Sequence, residues 1–273
     1  MMLGVLLRIE WLKAVKRRSF WVAVGAFAVF IAIPAVERIR NVHKNPNLSY
    51  ALPESWPDIL GAAAGLGPFF VGVLMILLVA PEFTWRTARQ NVIDGLSKER
   101  FYVGKVMLLA GLISFFIAIA MLVGVGGTLF SPSEGGPGIL RPTDLSYLGS
   151  LALSLLLVGS AGLMLSVLIR SSGLALGALF LYLIVEEAVG RLISQAGGGL
   201  RRSAEYLPSN ILDQLGNDLA HYPEVLADVN SRRMERGLEP REFLDVEVLA
   251  IAALVYSALF LGLAFLSMCK RDL

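Results

Sequence analysis

The sequence predicts an all-α membrane protein: an N-terminal interfacial helix, about six transmembrane helices, and a helical outer segment before the last of them. Three observations carry that prediction. The 273-residue chain is 56% hydrophobic and 17% charged, against about 45–50% apolar and about 25% charged residues in a soluble domain. Its mean hydropathy is +0.67. Its apolar residues gather into six runs, and a bilayer core about 30 Å thick is crossed by about 20 residues of helix.

In chain order the runs are roughly 19–36, 59–80, 106–130, 146–169, 173–189 and 246–268. Hydrocarbon offers no partner to an open backbone group, so each run is predicted helical. The first and fifth are short, and only Arg170, Ser171 and Ser172 separate the fifth from the fourth.

Residues 1–18 have a different character. Leu3, Leu7, Trp11, Ala14 and Val15 fall on one helical face, while Arg8, Lys13, Lys16 and Arg17 lie mostly off it. This pattern predicts a helix lying in the membrane interface with its cations near anionic headgroups. Reading 19–36 as a cleaved signal peptide fits less well. The run is long for one, and Ala32-Ile33-Pro34-Ala35 lacks small residues at both cleavage positions.

Lysine and arginine set the orientation. With the N-terminus inside, the inner set is Arg8, Lys13, Lys16, Arg17, Arg18, Arg86, Arg89, Lys98, Arg100, Lys105, Arg170, Lys270 and Arg271. The short outer loops hold Arg38, Arg40, Lys44 and Arg141. Cations in the long segment 191–245 count for little, because long segments translocate largely regardless of charge. The excess predicts both termini in the cytoplasm.

The most informative stretch is 82–105, between the second and third runs. Thr84, Arg86, Thr87, Arg89, Gln90 and Asn91 give it a polar surface, and Phe83, Trp85, Val92, Ile93 and Leu96 add apolar contacts. Asp94-Gly95 is a turn signal, and Ser97 followed by Glu99-Arg100 suits a helix start. The reading is a short helix, a turn, and a second helix running into the third span. Arginines and an unburied tryptophan on such a helix suit docking on a cytosolic protein.

Other chemistry is scarce. The net charge of +2 is too small to suggest a nucleic-acid partner, and none is expected. The single cysteine, Cys269, forms no intrachain disulfide. His43 and His221 stand apart from any recognisable zinc spacing. Gly104-Lys105 is followed by Val106, and position 99 is Glu rather than Gly, so it is no P-loop. Asn47-Leu48-Ser49 matches a glycosylation sequon on an outer loop and is read as chance.

At this point the residues carry a resemblance. In the loop after the second run, Glu82, Thr87, Arg89, Ser97, Arg100 and Lys105 follow the order found in the permease subunits of type 2 ATP-binding-cassette (ABC) transporters. Glu10, Lys13, Arg17, Arg18 and Trp21 resemble that family's interfacial elbow helix. Phe265 and the ending Lys270-Arg271-Asp272-Leu273 are similar to its usual C-terminus. The resemblance runs along the whole chain.

The resemblance implies an export permease that works as a dimer, with a second copy or a paralogue, each permease paired with a cytosolic ABC ATPase subunit. It implies ATPase coupling through Glu82, Trp85, Arg86, Thr87, Arg89 and Arg100. ATP and magnesium would be bound by the partner, with no cofactor, metal or catalytic residue in this chain. The alternative is a self-sufficient secondary transporter, channel or membrane enzyme. Such proteins need coordinating groups near the mid-membrane or inverted repeats. Here the spans carry mainly scattered serines such as Ser114, Ser154, Ser160 and Ser257.

Three further features remain. Gly61–Gly65 and Gly173–Gly177 are GxxxG motifs, open to packing within the chain or across a dimer. Gly124, Gly126 and Gly127 mark a bend or fraying end. The outer segment 191–245 opens with Gly197-Gly198-Gly199, then shows helical spacing at Ile211, Leu212, Leu215 and Leu219 and a proline start at Pro223, before the charged connector 231–241. Finally, Glu186 and Glu187 are adjacent carboxylates in an apolar run, where a charge is costly unless paired. Glu187 and Arg191 are spaced to pair along a helix. The sharper expectation is that Glu186 or Glu187 faces a dimer cavity and binds or gates a cationic substrate group.

Overall fold

The computed structural model describes residues 2–45, 50–131, 138–195 and 203–270, and among them the elements are α-helices. In order they are α1 (Met2–Val15), α2 (Arg18–Lys44), α3 (Trp56–Thr84), α4 (Thr87–Ile93), α5 (Lys98–Thr128) and α6 (Pro142–Ile169). Then come α7 (Ser172–Gln195), α8 (Pro208–Leu215), α9 (Asp218–His221), α10 (Pro223–Glu235) and α11 (Val246–Lys270). Six of these, α2, α3, α5, α6, α7 and α11, are long and apolar enough to span a membrane. The chain is a multi-pass membrane protein. Ser49, Ser133, the sequon, the Gly197–Gly199 link and the last three residues lie outside the described residues, as does the side chain of Leu3.

The helices differ from the apolar runs mainly at their polar ends. α2 continues past Val36 to Lys44, and α5 begins at Lys98 rather than Val106 and stops at Thr128 rather than Phe130. A helix bonds its own backbone, so leaving hydrocarbon does not end it. At about 1.5 Å per residue, α2 is about 40 Å long and overshoots a roughly 30 Å core.

α3 and α6 form the centre, with 61% of each apolar window buried, against 17% for α7. Their backbones touch where a side chain is absent, since a Cβ on Gly162 would lie 2.5 Å from the Gly72 carbonyl oxygen, and Gly159 makes room for the Val71 side chain, 2.9 Å from a built Cβ. Of the GxxxG glycines only Gly61 meets α6, with the Tyr147 hydroxyl 3.1 Å from a built Cβ. Gly65, Gly173 and Gly177 have nothing within 4 Å of a built Cβ. Spacing alone does not say which face a glycine occupies.

The Gly124–Gly127 cluster lies in the last turns of α5, which ends at Thr128. Gly124 makes room for Trp56 and Gly127 for Tyr50, each 2.3 Å from a built Cβ. Trp56 is fully buried and donates its indole N–H to the Ile139 carbonyl at 2.6 Å. Both rings fill the space beside α5 that small residues leave.

At the end of the bundle opposite α4, the segment before α11 folds onto the start of α6. Ile211 and Leu215 of α8 pack with Leu157, Leu249 and Ala253. Tyr147 donates to the Gly216 carbonyl at 2.7 Å and stacks on His221, with ring centroids 4.3 Å apart. Tyr222 donates to Asp144, whose other oxygen accepts the Arg141 N–H at 2.7 Å and so caps α6. α10 buries no residue. The charged connector is not loose: Asn230 exchanges two hydrogen bonds with the Arg241 backbone, at 2.9 and 2.8 Å.

Candidate coupling surface and its buried ion cluster

α3 ends because the chain turns sharply. Arg86 takes a left-handed conformation, with φ 58°, which costs a residue with a Cβ about 1–2 kcal/mol. α4 then runs about two turns and ends in a Schellman motif. Gly95, with φ 98°, occupies the left-handed position, and the Leu96 N–H bonds the Asn91 carbonyl at 3.0 Å. Ser97 caps α5 by accepting the Arg100 N–H at 3.2 Å. The expected short helix, Asp94-Gly95 turn and Ser97 start are all present.

This turn is tied to the corresponding turn between α6 and α7. Arg170 is left-handed as well, with φ 57°. The Thr84 hydroxyl donates to the Arg170 carbonyl at 3.0 Å, and the Arg170 guanidinium lies 5.4 Å from the Phe83 ring centre. Two strained turns therefore brace each other at one end of the bundle.

Beneath them lies an ion cluster. Lys105 of α5 is 1% exposed and ion-pairs with Glu10 of α1 and with Glu82 of α3, the latter at 2.7 Å. Its ammonium also sits 4.6 Å from the Phe101 ring centre. Lys13 completes the group, 2.9 Å from Glu10 and 3.8 Å from Glu82. Two carboxylates and two ammoniums leave no net charge, which is what burial demands. Burial alone would raise the Glu10 carboxyl, but Lys105 and Lys13 outweigh it and hold it below its ordinary value. Glu10 and Lys105 are ninety-five residues apart, so no local spacing could have joined them.

A second tie follows from proline chemistry. Pro81 has no N–H, so the Leu77 carbonyl one turn back lacks its helical donor. Arg17 supplies it from the α1–α2 junction at 2.7 Å. The same guanidinium lies 5.6 Å from the Trp85 ring centre.

The candidate coupling residues therefore divide. Glu82 faces inward, 5% exposed and consumed by Lys105. Thr87 is exposed, but its hydroxyl is bonded to the Glu82 carbonyl at 3.1 Å. Trp85, Arg86, Arg89 and Arg100 are exposed, Trp85 at 67%. Ile93, also 67% exposed, joins them on the outer face of α4, whose inner face is the buried Ala88. Glu10, Lys13 and Lys105 belong to the site although sequence reasoning gave them no joint role; the signal was three ionisable residues at the edges of apolar runs.

The two carboxylates of α7 also divide. Glu186 is buried and accepts the Ser209 N–H at 2.7 Å, capping the start of α8. Glu187 ion-pairs with Arg191 on the exposed side. It also lines a cleft of about 600 Å³ between α3, α7 and α8, with Phe69, Asn210 and Asp213 among its walls.

With this geometry in place, the comparisons add a class. The family model described as ABC-2 family transporter protein matches residues 6–186, from within α1 to the carboxylate that caps α8. No curated protein matches the chain.

Proposed function

This chain belongs to the ABC-2 family of transporter proteins, and on that footing we propose that it is the permease subunit of an ATP-driven export system. It moves substrate across the cytoplasmic membrane as half of a dimer, and separate cytosolic ATPase subunits hydrolyse the ATP. Both termini face the cytoplasm. The observation that carries this reading is the α4 face: Trp85, Arg86, Arg89 and Ile93 project outward on a braced turn, directly over an ion cluster that joins α1, α3 and α5. A partner pressing on that face moves three elements together. This is the mechanical need of a permease whose two states are biased from outside.

In this reading Glu82 orients the surface rather than touching the partner. Arg86 and Arg89 make the polar contacts, Arg100 flanks them, and Trp85 is the apolar anchor. Glu187, with Asp213 in the same cleft, is the group that meets a cationic part of the substrate, while Glu186 holds α8 in place.

Purification of the tagged chain from its own cells tests the class: an ABC ATPase subunit is expected to come with it. Co-reconstituted with that subunit, Arg89→Glu should leave insertion intact and uncouple hydrolysis from transport. Full coupled transport by the variant would place the docking surface elsewhere. Orientation is checked with single cysteines in a Cys269→Ser background. An impermeant thiol reagent on intact cells should label position 231 and spare position 97, and the reverse pattern would invert the topology.

A further inference from the structure

A second cleft lies outside all of this, between α2 and α5 at the end of the bundle away from α4. Its volume is about 690 Å³, and its walls are apolar: Ala35, Val36 and Ile39 from one helix face Val123 and Phe130 from the other side. Gly126 keeps it open, since a Cβ there would meet nothing within 4 Å. One end of the cleft is different in kind, being formed by Arg40 and His43.

We propose that this groove binds one anionic phospholipid, its acyl chain along α2 and its phosphate on Arg40 and His43. Three observations support it. The apolar part of the α2 lining runs from Ala32 to Ile39, about 10 Å at 1.5 Å per residue, or two thirds of one leaflet of a roughly 30 Å hydrocarbon core. Arg40 lies about 33 Å along α2 from Arg18, so the charged end falls at headgroup depth when the helix enters at Arg18. And the charge there is available: Arg38 is taken up by Asp58, whereas neither Arg40 nor Lys44 has an ion pair among the described residues. Glu37, the carboxylate on the same helix, is exposed and is not part of the lining. A free anion would gain nothing from the apolar length, and a zwitterionic lipid gains less from Arg40 because its own cation offsets the phosphate. A phospholipid with net negative charge uses both the apolar wall and the basic end.

Native mass spectrometry of the full chain in detergent tests this, titrating phosphatidylglycerol or phosphatidylcholine with identical acyl chains. The wild type should retain a single phosphatidylglycerol and bind phosphatidylcholine about fivefold more weakly or worse. Arg40→Gln should remove that preference, and Gly126→Leu, which puts a side chain into the groove from a position whose Cβ meets nothing within 4 Å, should weaken both lipids. Lipid-free melting temperatures should match the wild type for both variants. Equal affinity of the wild type for the two lipids, or undiminished phosphatidylglycerol binding in both variants, overturns the proposal. So does a Gly126→Leu chain that binds lipid normally but loses a dimer in light scattering, since the occupant is then a second copy. Displacement of the lipid by millimolar inorganic phosphate alone would also overturn it.

Discussion

Lys105 and Tyr147 sit at opposite ends of the bundle, and both are sealed in, at 1% and 0% exposure. Lys105 is held by two carboxylates from two other helices. Tyr147 is held by one hydrogen bond to Gly216 and by the face of His221. The first fastening is made of full charges that must all be present, because each member is tolerable in a low dielectric only through the others. The second is made of neutral groups that contribute separately. An ionic tie of this kind fixes relative position sharply, which suits the end where α4 presents its surface. The neutral lock suits an end that only has to seat α8 and α9 over α6.

Removing single members separates the two designs most strongly. Lys105→Met leaves the buried Glu10 and Glu82 to share the half-exposed Lys13, one cation for two carboxylates, and should cost about 3–5 kcal/mol, read as a large fall in melting temperature. A Glu10→Gln, Glu82→Gln, Lys105→Met triple variant should recover most of it, since the one charge left, on Lys13, is 40% exposed and can turn to solvent. Tyr147→Phe leaves one carbonyl unmatched and should cost about 1–2 kcal/mol. If Lys105→Met proves no worse than Tyr147→Phe, the contrast fails.

Acid should open the two ends in sequence. Burial pushes the His221 imidazole below its ordinary value of 6.5, against smaller raising effects of the Leu215 carbonyl and Asp218. The unfolded state therefore binds more protons as pH falls. The stability His221 permits is complete above about 6.5 and declines from there toward its folded value. The Glu10 carboxyl is held below 4.5, so its contribution is complete above that value and is lost only as pH falls through the lower folded one. Hydrogen exchange corrected for intrinsic rates, compared at pH 7.5 and 5.5, should show loosening of 208–222 and an unchanged 2–15 and 98–108. Simultaneous loosening would erase the distinction.

Much of this was legible in the sequence, because hydrophobic run length and local turn chemistry act over short distances. The six spans, the Asp94-Gly95 turn, the Ser97 cap and the Glu187–Arg191 pair are all local features. What was not legible depends on which elements become neighbours. Glu82 read as a surface residue because it opens a charged loop, yet the fold aims it at Lys105. Glu186 found its partner in Ser209, across a glycine-rich link. The close α3–α6 approach uses Gly72, Gly159 and Gly162, which match no spacing motif, while of the glycines that do match one only Gly61 has a neighbour within 4 Å of a built Cβ.

The smallest effect on stability should come from the α4 face itself. Arg86→Glu and Arg89→Glu alter exposed side chains and should stay within about 0.5 kcal/mol of the wild type, even as they impair coupling. A large loss of stability from either would mean that the face is part of the fold rather than a surface built on it.

The central claim is that α4 meets the ATPase. It is tested most directly by cross-linking in a Cys269→Ser background, with a single cysteine at Gln90, which is exposed on α4, or at Asn230, at the other end of the molecule. Membranes containing the co-purifying ATPase subunit would be treated with a short thiol-to-amine reagent. The account predicts a permease–ATPase product from position 90 and none from position 230, with the first reduced by Arg89→Glu. A product from position 230, or none from position 90 beside an ATPase that still co-purifies, would contradict it.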